Sequence, residues 1–152
     1  MLREAFSERL KSAMRAKDTR TLSAVRLILA ALKDRDVAAR GAGNIAGIAD
    51  PEIQRMLQGM VKQRRESIAL YQKGNRPELA QQEEEEIAVI DSFLPRQMTD
   101  DQIAAAVKAA IADTGAASIK DMGRVMAALR ERYAGVLDMA KAGAAVKQLL
   151  GT

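Results

Sequence analysis

The chain has 152 residues, with 24 lysines and arginines against 20 acidic residues and a formal net charge of +4. It contains no cysteine, histidine or tryptophan. These absences exclude disulfides, cysteine nucleophiles and histidine general bases, and with them most hydrolase and zinc-enzyme mechanisms. Alanine is abundant, with 29 residues, whereas aromatic residues make up only 3%. This composition favours helices over sheets.

The compartment is predicted from two segments of the sequence. The N-terminus carries charges of both signs early and lacks the apolar stretch of a signal peptide. The longest apolar run, Leu27 to Leu32, is far shorter than the roughly 20 residues that span a bilayer. We therefore expect a cytoplasmic protein without a membrane partner. Its pI near 9.6 permits contact with nucleic acid without requiring it.

Helix-breaking residues predict two helices in the first 40 residues. Helix 1 is expected over residues 2–17 and helix 2 over residues 21–40, separated by Asp18-Thr19. The middle of helix 2 is apolar nearly all round, which predicts that it lies within a core. Residues 41–49 contain three glycines and are expected to form the most mobile loop.

The next two helices are expected to form an antiparallel hairpin. Asp50-Pro51 predicts the start of helix 3, with Asp50 as the N-cap and proline in the first helical position. Helix 4 follows Pro77 and is expected to end at Leu94, because Pro95 comes next. The connection between these helices is short, which favours antiparallel packing.

Three shorter helices are expected in the C-terminal third of the chain. Thr99 and Gln102 form the pattern of a capping box for helix 5, and Ser118 and Asp138 are expected to cap helices 6 and 7. The best domain boundary lies near Pro95, which gives domains 1–96 and 97–152. The expected fold is therefore all-α.

Helical angles predict a buried ion pair within the hairpin. At about 100° per residue, Arg64 falls in the middle of the apolar stripe of helix 3. Glu83 and Glu86 fall on the apolar side of helix 4. In a hairpin centred near Asn75, Arg64 and Glu86 lie opposite each other, so Arg64 is expected to pair with Glu86 or, failing that, with Glu83. The alternative is that Arg64 extends past the stripe to water.

Several stretches together resemble the GatB/YqeY family. Each is weak alone, but their order and spacing make the resemblance strong, and it extends from helix 1 to Leu150 without a large insertion. This extent predicts a free-standing YqeY-like protein. The stretches are residues 62–68 with Tyr71, Glu83 with Glu86-Ile87, residues 93–99, residues 114–116 and residues 120–126.

The resemblance implies an N-terminal helical bundle and a small C-terminal three-helix domain. The family shares this module with the tail of the B subunit of the bacterial Asp/Glu-tRNA amidotransferase, and a similar module is appended to some glutaminyl-tRNA synthetases. There it contacts tRNA and is not the catalytic centre. Family members also often carry the label of a carbon–nitrogen ligase that uses glutamine as the amido-N donor.

The residues of this chain do not support that enzymatic label. Release of ammonia from glutamine needs an activated nucleophile, yet Cys and His are absent and no Gly/Ser-rich amidase signature is present. No phosphate-binding glycine loop for ATP is present either. A carboxylate paired with arginine is expected to have a lowered pKa and to be a poor general acid. We therefore expect no catalytic residue, no metal site and no cofactor.

Basic residues of the C-terminal domain are the candidates for contact with tRNA. Lys120 and Arg124 lie four residues apart near the start of helix 6, where N–H groups and the helix dipole favour an anion. Gly123 is expected to allow a neighbouring helix to approach closely, although a phosphate backbone could use the same gap. Residues 98–152 have a net charge of only +1, against +5 for the first 40 residues. The remaining candidates are Arg130, Arg132 and Lys147, and, near the N-terminus, Arg3, Lys11, Arg15 and Lys17.

Three functions remain open at this point. The first is a non-catalytic, tRNA-associated module that acts alone or beside an aminoacyl-tRNA synthetase or amidotransferase. It would recognise shape and phosphates, because no aromatic residues interleave with the cations to stack bases. The second is a protein–protein adaptor without affinity for RNA, in which each cation is only solvated. The third is an accessory role in an amidotransferase reaction.

Overall fold

The structure is a computed structural model that describes residues 1–151. Those residues contain α-helices and one 3₁₀ turn and no strand, which confirms the predicted all-α class. The helices are α1 (Leu2–Ala16), α2 (Thr19–Gly41), α3 (Asp50–Lys73), α4 (Pro77–Asp91), α5 (Asp100–Thr114), α6 (Met122–Arg132) and α7 (Met139–Leu150), and the 3₁₀ turn spans Ile119–Asp121.

The chain divides into two compact units between Leu94 and Pro95. This division falls two residues before the boundary expected from the sequence, between 96 and 97. Unit 1 contains α1 to α4 and unit 2 contains α5 to α7. Each unit has its own cluster of fully buried apolar side chains.

In unit 1, α3 and α4 make the most extensive helix–helix contact of the described residues. Only residues 74–76 join them, and Asn75 takes a left-handed conformation, with a φ of 54°. The core beneath them includes Phe6 of α1, whose ring meets that of Phe93 edge to face at 4.8 Å. Both phenylalanines of the chain are therefore used for packing.

The two ends of the α3–α4 segment differ slightly from the sequence prediction. Ala49, rather than Asp50, occupies the N-cap of α3, so Pro51 lies in the first turn as the second helical residue. Helix α4 ends at Asp91 instead of Leu94. The Ser92 hydroxyl donates to the Val89 carbonyl, and such local bonds compete with a regular helix.

The prediction that α2 is buried all round its middle is wrong. Val25 and Ile28 are fully buried, but Leu27 is 45% exposed. The outer face of α2 therefore meets water. In helix 1 the apolar spacing predicts one face that carries Phe6 and Met14, yet Met14 is also exposed. Both helices have the single buried stripe that is usual on the surface of a globular unit.

Unit 2 begins with the expected capping box. The Gln102 amide N–H donates to Thr99 Oγ1, and the Thr99 amide N–H donates to Gln102 Oε1. Asp138 caps α7 by accepting from two backbone N–H groups. The core is formed by apolar residues of all three helices and of the loop before α7, among them Val107, Leu129, Leu137 and Val146.

Candidate functional site

Arg64 of α3 lies against two carboxylates of α4. Its Nε is 2.9 Å from Glu86 Oε2 and 3.9 Å from Glu83 Oε2. The Arg64 side chain is 11% exposed and that of Glu86 is 8% exposed, so this charge pair is largely removed from water. A further bond runs from Arg64 Nη1 to the Met60 carbonyl at 3.3 Å. The cluster therefore ties two helices together through one guanidinium.

The two carboxylates of this cluster are not equivalent. Burial and the neighbouring charge of Glu86 raise the pKa of Glu83, and the attraction of Arg64 only partly opposes these effects. The expectation that an arginine-paired carboxylate here has a lowered pKa is therefore wrong for Glu83, because burial and the charge of Glu86 outweigh the attraction of Arg64. Glu84 and Glu85 are exposed, and Glu85 accepts from Arg20 Nε at 2.8 Å.

A second semi-buried ion pair, which the sequence analysis missed, joins α1 to α2. Arg3 donates to both oxygens of Asp36, at 2.6 and 2.9 Å, and to the Ile48 carbonyl at 2.7 Å. Asp36 also accepts from the Ile48 amide N–H at 3.0 Å. These bonds lower the pKa of Asp36 to about 2, with the hydrogen bond from Arg3 as the largest cause.

Helical angles contained a signal for Asp36. At about 100° per residue, position 36 falls about 20° from Val25 and about 40° from Leu32, at the edge of the buried stripe of α2. Gly47 completes this site, since it is buried with a φ of +86° against the Asp36 carboxylate. A side chain at position 47 would collide with Asp36.

The candidate cations of unit 2 differ in whether they are already paired. Arg124 donates to Asp121 at 2.9 Å and Arg132 donates to Asp113 at 2.8 Å. Lys120, Arg130 and Lys147 are exposed, and none of their side chains makes a hydrogen bond or ion pair within residues 1–151. Three of the five candidates are therefore fully available to an external anion.

The start of helix 6 is not the open anion site that the sequence suggested. A 3₁₀ turn precedes α6, and the Asp121 carboxylate accepts from the amide N–H groups of Ala117 and Ser118 at 2.9 and 3.3 Å. These backbone bonds, led by the one from Ala117, and the bond from Arg124 lower the pKa of Asp121. The Asp121 carboxylate thus places a negative charge beside the start of the turn, which disfavours a phosphate there.

Other details of α6 also differ from expectation. Gly123 is exposed, and a Cβ built there meets nothing within 4 Å, so the prediction of a close helix approach is wrong. The three arginines of α6 do not share one face, because Arg130 lies about 120° from Arg124 and about 160° from Arg132 at 100° per residue. A single compact patch on α6 is therefore absent.

The candidate cations near the N-terminus also divide into paired and unpaired side chains. Arg3 is committed to Asp36, and Lys11 lies 3.6 Å from Glu8. Arg15 and Lys17 are exposed, and their side chains make no hydrogen bond or ion pair within the described residues. The Arg3 guanidinium therefore holds α1 against the end of α2 and is not available to contact tRNA.

A metal site and a membrane span each require a specific arrangement of residues. Within residues 1–151 no group of three or more acidic side chains is placed to hold a metal ion. No helix among those residues is both long and apolar enough to cross a bilayer. Exposed guanidinium and ammonium groups bind phosphate and carboxylate anions.

The family model for YqeY-like proteins matches residues 3–150, nearly the whole chain. The chain belongs to the YqeY-like family. A curated relative, named altered inheritance of mitochondria protein 41, mitochondrial, from Lachancea thermotolerans, is 31% identical over 85 residues. That alignment covers 56% of this chain and 43% of the relative. This YqeY-like chain therefore aligns with less than half of that protein's length.

Proposed function

We propose that this YqeY-like protein is a non-catalytic, tRNA-associated helical module. The observation that carries the proposal is the presence in unit 2 of three exposed cations without a partner among the described residues, Lys120, Arg130 and Lys147. Arg124 and Arg132 lie on other faces of α6 than Arg130, and Asp121 and Asp113 already offset their charges. The relation to the tail of the amidotransferase B subunit supplies the class of ligand.

Recognition would rest on phosphates and on the shape of a folded RNA. Phe6 and Phe93 pack against each other in the core, and Tyr71 and Tyr133 are half-buried. Stacking of unpaired bases needs exposed aromatic faces, which this arrangement does not provide. The bound tRNA would be handed to, or held beside, an aminoacyl-tRNA synthetase or an amidotransferase.

A second candidate function is a protein–protein adaptor without affinity for RNA. It is favoured by Leu27 and Leu70, which are 45% and 68% exposed and line one open groove together with Arg64. Exposed leucines beside a groove are typical of contact with another protein. An accessory role in a glutamine-dependent amidotransferase reaction is a variant of this candidate, with the enzyme as the partner.

Salt dependence separates the two candidates. Binding of unfractionated tRNA is measured by filter retention at about 50 mM and about 200 mM salt. Three phosphate contacts predict a loss of affinity of about 20- to 40-fold over this range, whereas an apolar contact between proteins should change little. Retention that is absent at the lower salt concentration would refute the RNA proposal and leave the adaptor.

A further inference from the structure

Charge is distributed unevenly among the helices of unit 1. Helix α2 contains five cations and two acids, whereas α4 contains six acids and no cation. This makes α2 the most basic helix of the chain. Since α2 also has an outer face in water, a positive potential is concentrated on one accessible surface of this unit.

Three of the α2 cations form a line along that outer face. Arg26, Lys33 and Arg40 follow one another at intervals of seven residues and are all exposed. Seven residues are nearly two helical turns, so the three lie within about 40° of one another and span about 21 Å. We call these three residues the α2 basic stripe. The exposed residues between them, Ala30 and Val37, are short and do not block an approaching surface.

No neighbouring side chain neutralises the α2 basic stripe. None of the side chains of its members makes a hydrogen bond or ion pair within residues 1–151, although Arg40 adds to the positive potential at Asp36. Asp36 itself is held by Arg3. Asp34, the other acid of α2, lies at least about 80° from each cation of the stripe. Asp36 lies one turn before Arg40 but is buried, so no exposed acid lies in line with the stripe.

A similar line of cations on α3 contains an exposed acid. Arg55, Lys62 and Lys73 are exposed and fall within about 20° of one another. Glu66 is also exposed and lies in the same line, one turn after Lys62, where opposite charges attract. The two lines match in the number of cations and differ in this exposed acid, so the α3 line serves as a control.

We infer that the α2 basic stripe binds the phosphate backbone of a folded RNA. This inference rests on the proposed function and adds to it a contact surface in unit 1, besides the cations of unit 2. Neighbouring cations of the stripe lie about 10 Å apart along the helix. The phosphates of a nucleic-acid duplex are much more closely spaced, so each of the three side chains can reach one. Contacts of this kind position the RNA and carry no sequence information.

The test compares two triple variants that each remove three positive charges. The first is Arg26→Gln, Lys33→Gln and Arg40→Gln in the α2 basic stripe. The control is Arg55→Gln, Lys62→Gln and Lys73→Gln on α3. Glutamine keeps a good helix propensity, and circular dichroism with thermal unfolding establishes that both variants fold. Binding of unfractionated tRNA is then measured as a function of salt for both variants and the unaltered protein.

The stripe variant is expected to lower the slope of log affinity against log salt by about 2 to 3, since each phosphate contact contributes about 0.7 to 0.9. The α3 variant should lower it by less than about 1. Equal losses in the two variants would show that only net charge matters and would overturn the stripe while leaving the proposed function intact. Absence of tRNA binding by the unaltered protein would overturn both. Stripe-dependent binding to anionic phospholipid vesicles, without binding to tRNA, would assign the stripe to a lipid surface and also overturn the inference.

Discussion

The guanidinium of Arg64 reaches from α3 to Glu86 of α4, with Nε 2.9 Å from Oε2 and both side chains nearly out of water. The two residues lie the same distance before and after Asn75, so the pair can form in only one register of the two helices. A buried ion pair adds little net stability compared with apolar residues, but removal of one partner leaves a buried charge. The pair therefore specifies register more than it stabilises.

Replacement of Arg64 by methionine is expected to be strongly destabilising. The variant keeps the length of the side chain but leaves Glu86 and Glu83 without their cation, which should cost about 3 kcal/mol. The double variant Arg64→Met, Glu86→Leu should recover most of that loss. Urea unfolding measures both free energies. A single variant within about 1 kcal/mol of the unaltered protein would show that the pair is not effectively buried.

The two glutamates of the cluster should respond to neutralisation with opposite signs. Burial and the charge of Glu86 raise the pKa of Glu83, so its ionised form disfavours the folded state and Glu83→Gln should raise the urea midpoint at pH 7. Glu86→Gln removes the close ion pair and should cost about 2 kcal/mol. Midpoints that fall equally in both variants would contradict this assignment.

Gly47 is expected to tolerate no side chain. Its φ of +86° disfavours other residues, and a Cβ would also collide with the Asp36 carboxylate. Gly43 has a similar φ of +98° but open space around it, so Gly43→Ala isolates the backbone strain. Gly47→Ala should unfold more easily than Gly43→Ala by about 1 to 3 kcal/mol. Equal urea midpoints for the two variants would mean that Asp36 simply moves aside.

Acid should weaken the contact between Arg3 and Asp36. The pKa of Asp36 is lowered to about 2 in the folded state from 3.8, so the folded protein binds its proton less readily than the unfolded chain. The resulting stability, about 2 kcal/mol, is present above pH 4 and is lost as the pH falls through about 2. Urea unfolding between pH 5 and 2 should show this loss, and the variant Asp36→Asn should lack it.

The ion pairs within unit 2 predict which of its cations contribute to RNA binding. If the proposed function holds, Lys120→Gln with Arg130→Gln should lower the salt slope by about 1.5, since two unpaired cations are lost. Arg124→Gln with Arg132→Gln removes the same charge, but Asp121 and Asp113 already offset it. Its effect should be smaller. Equal effects of the two double variants in the filter-retention assay would mean that the ion pairs of Arg124 and Arg132 open when RNA binds.

Several features of the fold could be read from local chemistry alone. Thr99, Gln102 and Asp138 cap their helices as predicted, because a cap involves residues only three or four positions apart. The division of the chain at Pro95 follows from the same local logic, since proline interrupts a helix. The end of α4 was missed by three residues because a single hydroxyl, that of Ser92, changes the last turn.

The faces of helices were harder to predict than the helices themselves. The apolar patterns of α1 and α2 predict that Met14 and Leu27 are buried, yet both are exposed. Burial depends on which neighbours pack against a helix, and a pattern within one helix does not contain that information. Asp36 shows the opposite case, because its position on the buried stripe was visible but its partner, Arg3, lies 33 residues away.

The sequence by itself determined the helical class, the absence of cysteine and histidine chemistry, and the family to which the chain belongs. These properties depend on composition and on short-range spacing, and both can be read directly from the sequence. Tertiary structure alone decided which charges are available. Arg3, Arg124 and Arg132 are held by acids of this chain, whereas Arg26, Lys33 and Arg40 are not, because packing selects which side chains meet and which remain in water.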